Sequence, residues 1–145
     1  MTAAISTTER RSYSSTLSRN EPARTTSYVY GLLRLEGLAA FAAALVIYWH
    51  AGFSWPAFAL LFLAPDLAML GYLVGRRSGA ALYNLVHTYA LAVAATLAGF
   101  FGGVPLIAAV GLIWIAHIGL DRALGYGLKF PTGFADTHLG RIGPH

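Results

Sequence analysis

SGAALYNLVHTYALAVAATLAGFFGGVPLIAAVGLIWIAHIGL, residues 78–120, runs for 43 residues between Arg77 and Asp121 without a charged side chain. A helix needs roughly 20 apolar residues to cross the hydrocarbon core of a bilayer, so this run holds two spans. Gly102, Gly103 and Pro105 interrupt it near its middle and mark the turn between them. Upstream, residues 37–65 form a second uncharged run of 29 residues between Glu36 and Asp66. An apolar hairpin of this length is hard to place in a soluble domain, and the chain reads as integral to a membrane.

Working outward, the first span runs from about Tyr30 to Trp49, the second from Trp55 to Gly75, the third from Ala80 to Phe101 and the fourth from Val104 to about Gly127. Three tight connections between four spans specify an all-α membrane protein: a four-helix antiparallel transmembrane bundle, up-down-up-down. Residues 1–27 are rich in Ser, Thr and Arg and lack apolar periodicity, so they are expected to form a flexible, disordered N-terminal tail. The transmembrane domain is then 28–128. Residues 129–145 form a C-terminal segment in which Phe130, Phe134, Leu139 and Ile142 alternate with turn residues, so Asp136 and His138 can fold back over the mouth of the bundle.

Composition agrees with one membrane bundle: 57% of the 145 residues are apolar and 11% are charged. With no cysteine, disulfides, iron–sulfur clusters and thiol catalysis are excluded. The net charge of +4 does not indicate nucleic-acid binding, because the basic residues are spread over tail, hairpin and C-terminus without a basic helix or an aromatic platform. They read instead as topology signals. Arg10, Arg11, Arg19, Arg24 and Arg34 precede or open span one, Arg76 and Arg77 join spans two and three, and Arg122, Lys129 and Arg141 close span four or follow it. The positive-inside rule then puts both termini and the Arg76–Arg77 hairpin in the cytoplasm, with Tyr48, Trp49 and Trp55 in the aromatic belt on the far side. A bacterial inner (plasma) membrane is the expected location and the lipid bilayer the expected partner.

Small residues suggest the packing faces. Ala90, Ala94 and Ala98 recur every four residues below His87 in span three, and predict a smooth strip for a neighbouring helix. Ala39 and Ala43 in span one, and Gly111 and Gly119 in span four, are candidates for the same role.

Each span also carries a polar group in the half of the bundle nearer the arginine hairpin. At ~1.5 Å per helical residue, Asp66 and His87 lie at similar depth, ~15 Å from that hairpin, and His117 and Asp121 lie ~18 and ~12 Å from Lys129. His117 and Asp121 are four residues apart and share a helical face, as do Asn84 and His87 at a spacing of three. Imidazole and carboxylate together suit a divalent zinc, iron or manganese ion. The candidate ligands are His87, His117 and Asp121, with Asp66 as ligand or base; Glu36, Asn84, Arg34, Arg122 and His138 are candidate supporting residues. Pro65 should kink span two and free a carbonyl beside Asp66. A purely structural network remains open, since charge within a bilayer costs ~2.5–3.5 kcal/mol and finds partners whether or not it does chemistry.

The strings LRLEG (33–37), LAPDLAMLGYL (63–73), ALYNLVHTYAL (81–91), WIAHIGLDRALGYGLK (114–129) and PTGFADTHLG (131–140) resemble a family of small bacterial integral-membrane proteins, domain-of-unknown-function family 4260. The resemblance implies a membrane protein and transfers no catalytic assignment. Three functions stay open: a metal-dependent hydrolase acting on a lipid ester or amide; a proton, ion or small-ligand transport module, which would need a homo-oligomer to provide a lumen; and an accessory protein whose polar groups only specify helix pairing. A ligand cluster beside a water-accessible cavity favours the first, a polar path to the far side the second, and direct Asp–Arg or Asn–His pairing the third.

Overall fold

The computed structural model describes the backbone of residues 7–143 and the side chains of residues 27–143. The tail expected over residues 1–27 therefore lies, for its first six residues and for nearly all its side chains, outside the described residues. Two compact units divide the chain, residues 1–32 and 33–145. The backbone of the first is helical from Thr7 and belongs to helix α1, Thr7–His50. The second unit is the bundle. It contains the rest of α1, then α2 (Trp55–Leu61), a 3₁₀ segment (Ala64–Leu73), α3 (Arg76–Val86), α4 (Tyr89–Phe101), α5 (Pro105–Leu124) and a small hairpin of β1 (Asp136–Thr137) and β2 (Gly140–Arg141).

Four stretches are long and apolar enough to cross a bilayer: Ser27–His50, Trp55–Leu73, Arg76–Phe101 and Pro105–Leu124. The transmembrane bundle is thus present, but its two middle spans are broken halfway. In span two α2 ends at Leu61, whose carbonyl in a longer helix would accept the N–H of residue 65; Pro65 has no N–H to donate, and the chain continues as a 3₁₀ helix of ten residues. Such a run is unusual, since 3₁₀ stretches rarely exceed three or four residues.

The break in span three has no proline or glycine to cause it. His87 leaves the helix at φ −97°, ψ 22°, and Thr88 is extended. Side chains from α5 take over the carbonyls the break releases: Trp114 Nε1 donates to Val86 O at 2.6 Å, and Arg122 Nη2 donates to His87 O at 3.2 Å. Insertion of donors into the ladder is a recognised cause of a sharp bend. Val86 O and His87 O are thereby paired inside an apolar medium, where an orphan is costly.

Helix α5 is the central element, with half of its spanning window buried, whereas the other three spans are largely open to the surroundings. Its Gly119 meets α1: a Cβ there would stand 2.7 Å from Phe41 N. On its opposite side Gly111 receives Thr96, and Gly99 of α4 comes close to the backbone of Ala108. Ala44, Tyr48, Leu112, Ile113 and Ala116 make the buried core beyond the polar cluster.

Three expectations are corrected here. The strip Ala90–Ala94–Ala98 is exposed, and α4 buries Ala92, Thr96 and Gly99 instead, because the break at His87 resets the helical phase. Ala39 and Ala43 are likewise exposed, and α1 turns Gly37, Ala44 and Tyr48 inward. Tyr48 does not join the aromatic belt: its ring packs among Phe53, Trp55 and Phe58, and its hydroxyl donates to Ser54 O at 2.7 Å. Trp49 and Trp55 stay exposed.

Candidate metal centre

The two breaks put Asp66 and His87 at ends of helical segments, where each side chain can turn toward α5. One helical turn of α5 supplies His117 and Asp121. The four side chains converge. His87 Nε2 lies 3.2 Å from His117 Nε2 and 3.6 Å from both Asp66 Oδ1 and Asp121 Oδ2, and His117 Nε2 lies 3.6 and 3.7 Å from the same two oxygens. All four donor atoms fall within 4.8 Å of one another. Ligands ~2.0–2.2 Å from a tetrahedral ion are separated by ~3.3–3.6 Å; three of the six separations fall in that range, at 3.6 Å, and the 3.2 and 3.7 Å pairs lie just outside it.

Proton positions favour a cation as well. His87 Nδ1 lies 3.0 Å from Tyr83 O, and a carbonyl can only accept, so Nδ1 carries a proton and, in the neutral ring, Nε2 presents its lone pair to the cluster. Among the described residues no Arg or Lys nitrogen comes within 4.0 Å of either carboxylate, and the Asp–Arg neutralisation expected of a structural network is not found. Two ionised carboxylates and two neutral imidazoles carry a charge of −2 that a divalent ion would cancel; the other balance is a proton on each imidazole.

Surrounding groups fix this arrangement. Tyr83 stacks on His87 with ring centroids 3.7 Å apart, and its hydroxyl donates to Asp121 Oδ2 at 3.3 Å. Phe62 packs edge-on against His117. The side chains of His87 and His117 are almost fully buried, while that of Asp66 is 32% exposed and that of Asp121 18%. Asp66 is the open member.

The supporting residues divide. Asn84 clamps the C-terminal segment, donating Nδ2–H to Lys129 O at 2.9 Å and accepting Lys129 N–H on Oδ1 at 2.7 Å. Arg122 braces His87 O and lays its guanidinium against His138, whose Nδ1 accepts the Leu128 N–H at 2.8 Å. Arg34 donates to Leu124 O at 2.7 Å and so caps the last turn of α5. Glu36 is exposed and lies outside the cluster.

Two residues near the cluster carry roles that the sequence did not assign. Tyr83 lies one turn before His87, a spacing that points to contact between the two side chains. Lys129 was read as a topology signal. It is only 5% exposed, with Nζ 3.6 Å from the Phe134 ring centroid, 4.8 Å from that of Tyr83 and 3.0 Å from Phe134 O. Burial lowers its pKa, against the opposing pull of Asp121 and Asp66. No local pattern in GLKFP announces a buried amine.

Fold and site together define a four-span membrane protein with a cluster of two histidines and two aspartates inside the bundle. The chain belongs to the family described as Domain of unknown function (DUF4260), whose model matches residues 31–142. No curated protein and no solved structure matches it.

Proposed function

We propose that this protein is a metal-dependent hydrolase of a membrane-associated substrate, in which His87, His117 and Asp121 hold a divalent zinc, iron or manganese ion and Asp66 alternates between ligand and general base. The observation that carries this reading is the convergence of the four donor atoms, five pairs of which are 3.2 to 3.7 Å apart and all of which lie within 4.8 Å. A bound divalent ion lowers the pKa of its water and polarises a carbonyl. Asp66 is suited to the second role because it is the most exposed of the four and sits at the start of an irregular segment, whereas Asp121 is tied to Tyr83. Tyr83, by donating to Asp121, orients that ligand.

An apolar cavity of about 230 Å³ adjoins the cluster and supports a lipid-like substrate. Pro65, Val86 and Ile113 line it, and these residues lie one position before Asp66, one before His87 and one turn before His117. The transport alternative has less support, since the bundle beyond the cluster closes with Leu112, Ile113 and Ala116. In the proposed setting the protein lies in a bacterial inner membrane with both termini and the Arg76–Arg77 hairpin cytoplasmic, its partner is the bilayer, and neither nucleic acid nor a homo-oligomer is needed. Reconstitution into phospholipid vesicles tests the reading. Fatty acid should be released with zinc or manganese present and not with chelator, and Asp66→Asn should slow release ~100-fold or more while keeping the metal. Equal rates for wild type and Asp66→Asn would contradict it.

A further inference from the structure

A second, polar pocket of about 660 Å³ opens at the arginine end of the bundle, between the start of α3 and the C-terminal hairpin. Tyr72, Arg76, Thr132, Phe134, Asp136 and Arg141 line it. Arg76 comes from the first turn of α3 and Arg141 from β2, so the pocket exists only because the C-terminal segment is folded back. That fold is held by the Asn84 clamp on Lys129, by the 2.8 Å bond from Phe130 N to Asp136 O and by the Tyr72–Phe134 ring contact at 5.3 Å.

Apart from the bond between Thr132 and Asp136, the polar side chains of this pocket do not satisfy one another. Among the described residues neither Arg76 nor Arg141 makes a side-chain hydrogen bond or has a carboxylate oxygen within 4.0 Å, although Asp136 lines the same space. Asp136 receives the Thr132 hydroxyl on Oδ2 at 2.9 Å, which leaves Oδ1 open. The Tyr72 hydroxyl is buried and has no partner among the described residues. With almost no accessible surface, this hydroxyl is closed to a ligand in the pocket, and Tyr72 lines the space with the rest of its side chain.

Two guanidiniums and one carboxylate in a single pocket match a ligand that carries both signs. Arginine forks suit phosphate, and a carboxylate with an open oxygen suits a primary ammonium. We propose that this pocket binds a phosphoethanolamine group, with the phosphate on Arg76 and Arg141 and the amine on Asp136. Its place at the end of the spans, at headgroup level, makes phosphatidylethanolamine the source. The binding requires no metal and goes beyond the hydrolase reading.

Native mass spectrometry of the full chain in detergent and chelator tests it, with dioctanoyl-phosphatidylethanolamine and dioctanoyl-phosphatidylglycerol as probes of equal chain length. Wild type should retain the ethanolamine lipid several-fold better. Arg76→Gln and Arg141→Gln, both at exposed side chains, should weaken retention of either lipid ~10-fold, the scale of one charge-assisted contact. Asp136→Asn should remove the preference for ethanolamine while keeping glycerol lipid bound. Arg77→Gln removes the same charge next to the pocket and should change nothing. Free phosphoethanolamine that displaces the lipid supports the same site; if it binds while the lipid does not, the phosphoamine chemistry stands with a soluble source. Equal retention of the two lipids by wild type would overturn the proposal, as would Arg77→Gln weakening binding as much as Arg76→Gln. Because chelator is present throughout, failure here leaves the metal centre untouched, and loss of the metal centre leaves this binding intact.

Discussion

His87 joins the break in span three to the chemistry of the cluster. Its backbone N–H and its Nδ1–H both go to Tyr83 O, its own carbonyl goes to Arg122, and its Nε2 is left for the cluster. The helix cannot continue through this residue without giving up the Trp114 and Arg122 bonds that hold the break open. Trp114→Phe keeps the ring and removes the donor, leaving Val86 O without its partner in an apolar setting. Thermal unfolding in detergent should show a loss of ~1–3 kcal/mol, and unchanged stability would mean that Val86 O is satisfied another way. The pairing of His117 with Asp121 was legible in the sequence, since a spacing of four residues on an uninterrupted helix fixes a shared face. Asp66 and His87 were legible by depth alone. Their directions were not, because both depend on breaks, and the break at His87 depends on donors 28 and 35 residues away in α5.

At the level of elements, the broken middle spans explain why small-residue patterns misled in one helix and not in another. In α5, which is continuous, Gly111 and Gly119 contact α4 and α1 as the sequence suggests. In α4 the count from His87 crosses the break, so the strip drawn through Ala90, Ala94 and Ala98 lands on the exposed side. Ala92 is fully buried, between helices whose backbones approach closely at Gly99 and Gly111. Ala92→Leu should therefore destabilise the bundle by ~1–3 kcal/mol through overpacking, and Ala94→Leu should have little effect. A larger loss for Ala94→Leu in thermal unfolding would place the interface back on the other face. Span two was more readable, because Pro65 announces its interruption directly.

For the whole molecule, the C-terminal segment is the part whose attachment responds to pH. His138 Nδ1 accepts the Leu128 N–H, which requires an unprotonated nitrogen, and burial followed by the neighbouring Arg122 holds the pKa of His138 below its usual 6.5. Between that lowered value and 6.5 the undocked segment binds more protons than the docked one. Docking is thus fully stabilised above pH 6.5 and weakens as the pH falls through the window below it. Amide exchange at Leu128 and in residues 136–141 should rise on acidification from pH 7.5 to 5.5, and His138→Gln should flatten this dependence. Exchange that is insensitive to pH in the wild type would remove His138 from the attachment. The four-span bundle itself was legible from charge-free run lengths, whereas the folded-back segment depends on the Asn84 clamp, a contact across forty-five residues that no local pattern encodes.

The central claim is that His87, His117, Asp121 and Asp66 share one divalent ion. Metal content measures it most directly: full-length protein is stripped with chelator, reloaded separately with zinc, manganese or iron, washed, and analysed for bound metal per chain. Wild type should retain one ion. His117→Ala and Asp121→Ala should each retain almost none while keeping their helical circular dichroism, because each leaves only two of the three residues that hold the ion. Wild-type protein that keeps no ion, with variants that lose only stability, would contradict the claim and leave the four groups as a proton-sharing structural cluster.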